Sequence, residues 1–170
     1  NKDLTGTILT QTNLAGANLD GVDLSHKDLT GTLSILSCVD NPLLCNAINL
    51  SGVDLRNTDL TGTNLSGVDL SNKDLTGTIL AQSNLAGANL SGVDLSHKDL
   101  TGTILSGVDL SHKDLTGTIL AQSNLAGANL SGVDLSHKDL TGTILSGVDL
   151  SHKDLTGTIL AQSNLAGANL

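Results

Sequence analysis

From Leu50 to Leu170 every fifth residue is leucine, and the same spacing holds at positions 4, 9, 14, 19, 24 and 29, which puts 31 leucines on one clock. A helix repeats its faces every 3.6 residues and a strand every 2. On either element these side chains would spiral around the axis instead of gathering on one face. Only a backbone that turns a corner every five residues keeps them all inward. The chain has no Phe, Tyr, Trp or Met, so its core must come from Leu, Ile, Val and Ala. No aromatic platform exists for stacking a base or a ring.

A longer period lies over the short one. Residues 68–107 recur at 108–147 with a single change, Asn72 against His112, and begin again at 148–170. Forty residues make two coils of twenty, or four corners of five per coil; a three-sided coil of fifteen does not divide forty. Around each central Leu the minus-two residue is small or β-branched, the minus-one residue is often Asp or Asn, and Gly is frequent at plus two. Blocks such as ANLSG, SNLAG and TDLTG make residues 1–29 and 50–170 resemble the pentapeptide-repeat family. The resemblance implies an all-β fold, a right-handed quadrilateral parallel β-helix with the central and minus-two side chains inside.

On this reading residues 1–170 form a single solenoid of about eight to nine coils. At one strand spacing of about 4.8 Å per coil, the rod is on the order of 40 Å long. Residues 30–49 break the clock, since Leu29 and Leu50 stand 21 residues apart, and they carry the only Pro and both Cys. They are expected to form one irregular coil with a loop around Asp40, Asn41 and Pro42. Cys38 and Cys45 flank that loop. A disulfide between them would place the chain outside the cell or on its surface. Two reduced, buried thiols are the alternative and fit the cytoplasm.

All 17 acidic residues are Asp, set against eight Lys and Arg, for a net charge of -9. That sign disfavours direct contact with nucleic acid or anionic lipid. No apolar run is long enough to span a membrane, and the opening residues, already in the repeat, give no sign of a signal peptide. Positions twenty apart should stack, so Asp54, Asp74, Asp94, Asp114, Asp134 and Asp154 should form one surface column. Like charges about 4.8 Å apart repel by roughly 1 kcal/mol in water. Backbone N–H donors at each corner, the neighbouring Lys73, Lys113 and Lys153, or weakly bound cations could offset this.

Lysine also stands at inward minus-two positions, including Lys98 and Lys138, where a buried unpaired ammonium is too costly. The stems should run along the corner with the heads reaching solvent or the Asp column. His26, His97, His112, His137 and His152 fall at plus two and point outward. His112 and His152 lie two coils apart, too far to share a metal ion within one rod. The Asn-Leu-Ser sequons at Asn49, Asn64, Asn89 and Asn129 follow from the repeat consensus itself.

No catalytic constellation, metal site or cofactor motif appears, because every polar residue that could be singled out is copied around the rod. Thr-Gly-Thr triplets change faces in alternate coils, which argues against a single ice-binding face. Two functions remain. An open β-helix exposes strand edges that template addition of another chain, so the chain is expected to join copies of itself head to tail as a filament or surface fibre. Asn1, Lys2, Asp3 and Leu4 at one end and Asn169 and Leu170 at the other would make the join. The alternative, implied by the resemblance, is an acidic rod that mimics duplex DNA and binds a type II topoisomerase such as gyrase. The central Phe common in such relatives is absent here.

Overall fold

The computed structural model describes Leu50 and residues 53–170. Residues 1–29 and the irregular coil at 30–49, with Cys38 and Cys45, lie outside the described residues. The described residues form six stacked coils: 53–72, 73–92, 93–112, 113–132, 133–152 and 153–170, taken as the first to the sixth.

Each side of a coil is short because each corner is tight. After every central Leu the chain makes a turn closed by a backbone bond from the plus-three N–H to the Leu carbonyl, as from Thr103 to Leu100 at 3.0 Å and Val108 to Leu105 at 3.2 Å. The plus-two residue carries φ between +54° and +71°, the geometry of a type II turn. Gly takes this position at little cost, and Asn and His are the common exceptions. That accounts for Gly at most corners and for Asn57, Asn72, His97, His112, His137 and His152 at others, while Gln82, Gln122 and Gln162 hold the same left-handed position without being residues that favour it.

Between corners the chain runs extended and pairs in parallel with the residue twenty positions on, as in Asn64 with Asn84 and Asn84 with Ile104. Four corners and a twenty-residue register give a four-sided solenoid. The central leucines fill it: Leu100, Leu105 and Leu110 are fully buried. Burying each removes about 1.5–3 kcal/mol worth of apolar surface from water.

The filling repeats every two coils and not every one. The inward minus-two residues of the fourth coil are Lys113, Thr118, Ser123 and Ala128; those of the third are Val93, Lys98, Thr103 and Val108. In two of the four columns a larger side chain faces a smaller one across the coil interface, Val on Ala and Thr on Ser, and in the other two Lys alternates with Val and with Thr. The forty-residue unit is therefore the packing unit.

The outer faces follow the same doublet. The Asp face carries Asp54 to Asp154 in one column. Continuing around the coil, the next faces alternate Asp with Ile (Asp99, Ile119), then Asn with Ile (Asn84, Ile104), then Asp with Asn (Asp109, Asn129). Among the described residues, every β-bridge has Ile or Asn, never Asp, in the C-terminal member of the pair. Between the third and fourth coils three faces are bridged: Asp99 with Ile119, Ile104 with Asn124 and Asp109 with Asn129. Between the second and third only Asn84 with Ile104 is.

A candidate interaction surface on the Asp face

The carboxylates of the Asp face are held by their own corners. The amides of Thr76, Ser96, Thr116, Ser136 and Thr156 donate to Oδ1 of Asp74, Asp94, Asp114, Asp134 and Asp154 at 2.8–2.9 Å. Asp bonds in this way to the residue two further on because its short side chain reaches back over the turn. Repulsion along the column is present, since Asp114 pushes the Asp94 carboxyl upward, but the bonds from the Ser96 hydroxyl and amide outweigh it and hold that carboxyl below its usual range. Asp54 goes lowest, to about 2, because the Arg56 guanidinium and amide both bond to it. Among the described residues that Arg56–Asp54 contact, at 2.5 Å, is the one ion pair.

The lysines do not neutralise the column by contact. Lys73 Nζ donates to the Val53 carbonyl at 2.9 Å, and Lys113 Nζ to the Leu90 and Val93 carbonyls at 2.7 and 2.8 Å. Lys98 and Lys138 donate to the carbonyls of Leu75 and Leu115. The expectation that the heads reach solvent or the carboxylates is corrected: the half-buried ammonium groups solvate themselves on the backbone of the coil beneath. Burial lowers the pKa of Lys73, Lys98 and Lys113, with the nearby aspartates pulling the other way. The same carbonyls serve hydroxyls elsewhere in the stack, as where Thr118 Oγ1 donates to the Leu95 carbonyl at 2.8 Å.

His97 and His137 line one edge of the Asp face, His112 and His152 the other, each in a column where His alternates with Gly. A methyl group built on Gly117 would lie 2.2 Å from His97 Nδ1, and one on Gly132 2.3 Å from His112 Nδ1. The imidazoles of His97, His112 and His137 thus cover the bare glycine of the next coil. The sequence places these histidines outward but gives no hint of this packing apart from the His–Gly alternation.

Two open depressions touch the face. One runs between the second and third coils past Lys73, Asp74, Thr78, Asp94, His97 and Lys98, and the other lies against Asp134, Asp149, His152 and Asp154. Neither is enclosed. Among the described residues no cluster of three His, Cys, Asp or Glu could hold a metal ion, and no helix is long and apolar enough to cross a membrane. Of the residues expected to join copies, Asn1 to Leu4 lie outside the described residues. Asn169 Nδ2 donates to Asp149 Oδ1 at 3.1 Å, and Leu170 follows it.

The Asp bonds set an acid limit. Because the folded pKa values of Asp69, Asp74, Asp94, Asp109, Asp114, Asp134, Asp149 and Asp154 lie below 3.8, these groups contribute stability that is fully present above that pH. It is lost as pH falls through the folded values, toward about 2 for Asp54. The thermal midpoint followed by circular dichroism should therefore hold from pH 7 to about 4 and drop below it. A midpoint that rises in acid would mean that repulsion along the column outweighs the corner bonds.

The sequence model for pentapeptide repeats matches eight copies over residues 3–33, 45–82, 74–107, 83–122, 109–147 and 139–170. No curated protein matches the sequence. Among solved structures, trypsin-treated QnrB1, a plasmid-mediated fluoroquinolone resistance protein, is similar at 24% identity over 81% of this chain and 76% of that one, with a TM-score of 0.56. HetL, a pentapeptide repeat protein involved in heterocyst differentiation regulation in the cyanobacterium Nostoc sp. strain PCC 7120, is 29% identical over 86% of this chain and 84% of that one, with a TM-score of 0.33. The first likeness speaks for the fold. With the five-residue corners, the twenty-residue parallel register and the repeat matches over most of its length, the chain belongs to the pentapeptide-repeat family and folds as its right-handed quadrilateral β-helix.

Proposed function

We propose that the chain is a non-catalytic structural rod that joins copies of itself coil on coil, as a filament subunit or a segment of a surface fibre. The interchangeability of its coils carries this reading. The third coil presents to the fourth the same donors and acceptors that the fifth presents to the sixth: Leu100 to Ile119 at 2.9 Å matches Leu140 to Ile159 at 2.8 Å, and Leu105 to Asn124 matches Leu145 to Asn164, both at 2.7 Å. A coil surface that fits its neighbour within one molecule fits the equivalent surface of another copy, and such a head-to-tail contact does not close. An extracellular or cell-surface setting goes with this proposal through a Cys38–Cys45 disulfide.

Electron microscopy and light scattering across a concentration series should show rods whose lengths step by one chain. Particles that stay monomeric at the highest soluble concentration overturn the reading.

The regular Asp column favours a second reading, an acidic rod that takes the place of duplex DNA on a type II topoisomerase such as gyrase. Charge density speaks against it. Duplex DNA carries one charge per about 1.7 Å, or about 24 over a length of about 40 Å, against a net -9 for the whole chain. Inhibition of gyrase supercoiling by the purified chain would favour this second reading over the first.

A further inference from the structure

Successive coil interfaces differ in a way that makes the rod a chain of hinges. Between the third and fourth coils, backbone bonds run around three faces and four corners. Leu100, Leu105 and Leu110 donate to Ile119, Asn124 and Asn129, and His97, Gly102, Gly107 and His112 donate to Thr116, Ala121, Ala126 and Ser131. Between the second and third coils the backbone bonds are those from Gln82 to Thr101, Leu85 to Ile104, Ile104 to Ser83 and Gly87 to Ser106. All of these belong to the Asn/Ile face and its two corners. The fourth and fifth coils repeat that restricted set, from Gln122 to Thr141, Leu125 to Ile144, Ile144 to Ser123 and Gly127 to Ser146.

The bonded side is continuous along the rod, since Asn64, Asn84, Ile104, Asn124, Ile144 and Asn164 are bridged in unbroken succession. The Asp face lies directly opposite. We propose that the solenoid bends in two-coil steps at the 92/93 and 132/133 junctions, with the Asn/Ile ladder as the hinge and the Asp face as the side that opens.

Three further observations point the same way. The groove past Lys73, Asp74, Asp94 and Lys98 lies at the first of these junctions, on the opening side. Cross-coil amide-to-carboxylate bonds, from Asn89 to Asp69 and Asn129 to Asp109, both at 3.0 Å, tie only the tightly paired coils. Across the loose junctions the side-chain bonds run only to backbone carbonyls: Lys98 to Leu75, Thr103 to Leu80 and Lys113 to Leu90 at the first, and Lys138 to Leu115, Thr143 to Leu120 and Lys153 to Leu130 at the second. Like charges along the opening side supply the force. Among the described residues no backbone bond joins successive members of the Asp column, and each pair has one beside it, from Asn72 to Ser91 at Asp74 and Asp94 and from His97 to Thr116 at Asp94 and Asp114. The loose junctions differ on the two neighbouring faces, where Leu80 and Leu90 donate to no carbonyl of the third coil while Leu100 and Leu110 donate to Ile119 and Asn129 of the fourth. The bend must therefore depend on ionic strength, because the Debye length shrinks from about 30 Å in 0.01 M salt to about 3 Å in 1 M.

Spin labels on Ile79→Cys with Asp99→Cys, and separately on Asp99→Cys with Ile119→Cys, read the two kinds of junction in the full chain with Cys38→Ser and Cys45→Ser and leave the Asp column intact. The charges removed at the labelled sites are the same in number for both pairs. Continuous-wave dipolar broadening should be weaker for the first pair in low salt and rise to match the second in high salt, while the second pair stays unchanged. Introducing Asp109→Asn gives the third coil, on the other unbridged face, the residue found there wherever a bridge forms, and should reduce the salt dependence of the first pair. Equal, salt-independent broadening at both junctions overturns the hinge. If the Asp109→Asn variant does not fold by circular dichroism, the comparison of the two pairs in the otherwise unaltered chain still decides it.

Discussion

Leu100→Ala is expected to lower the unfolding free energy by about 2–5 kcal/mol, measured by urea denaturation followed with circular dichroism. Leu100 is fully enclosed, and its place in the column is closed above and below by Leu80 and Leu120, both 1% exposed. A solenoid coil packs only on its two neighbours, so the cavity has few other side chains to collapse into it. Val108→Ala should cost less, roughly 1–2 kcal/mol at about 0.8 kcal/mol per methylene-sized group. It sits between Ala88 and Ala128, where a small residue is already the rule in alternate coils. The reverse change, Ala128→Val, would set three Val in succession and strain the stack by about 1–3 kcal/mol. A loss below about 1 kcal/mol for Leu100→Ala would mean that the leucine column is not a close-packed core.

The second large effect is at a corner. Gly107 and Gly117 both have positive φ, +67° and +66°. Alanine at either should cost about 1–2 kcal/mol from the left-handed backbone alone. At Gly107 nothing lies within 4 Å of a new Cβ; at Gly117 His97 Nδ1 stands 2.2 Å away. Gly117→Ala must therefore also evict the imidazole, and is expected to be the more damaging of the two by an amount within the usual 0.5–3 kcal/mol of contacting pairs. In a His97→Ala background the two glycine substitutions should cost the same. Thermal melts of the five variants test this, and a Gly117 penalty that survives removal of the imidazole would show that the ring is not what fills the site.

The five-residue clock and the forty-residue period are legible without coordinates because leucine is the one residue whose burial repeats at every corner. The Asp column is legible for the same reason: positions twenty apart must stack once the coil has four sides. The left-handed corners are only half legible. Gly at plus two is visible, but Asn72 and His112 at the same position read as ordinary surface residues, and only the backbone geometry shows that they stand in for Gly. The lysines mislead, because sequence alone cannot say that a carbonyl of the coil beneath lies within reach of an inward ammonium.

What the sequence determines by itself is the cross-section: residues that must be inside recur every five, and no helix or strand brings them to one side. What only the tertiary structure decides is how coil meets coil. Whether Leu85 or Leu80 finds an acceptor above it depends on the residue nineteen positions later, Ile104 or Asp99, and on the carboxylates, amides and ammonium groups that share that interface. Those pairings are set by three-dimensional register between segments far apart in the chain, so an identical Leu is tied at one interface and left open at the next.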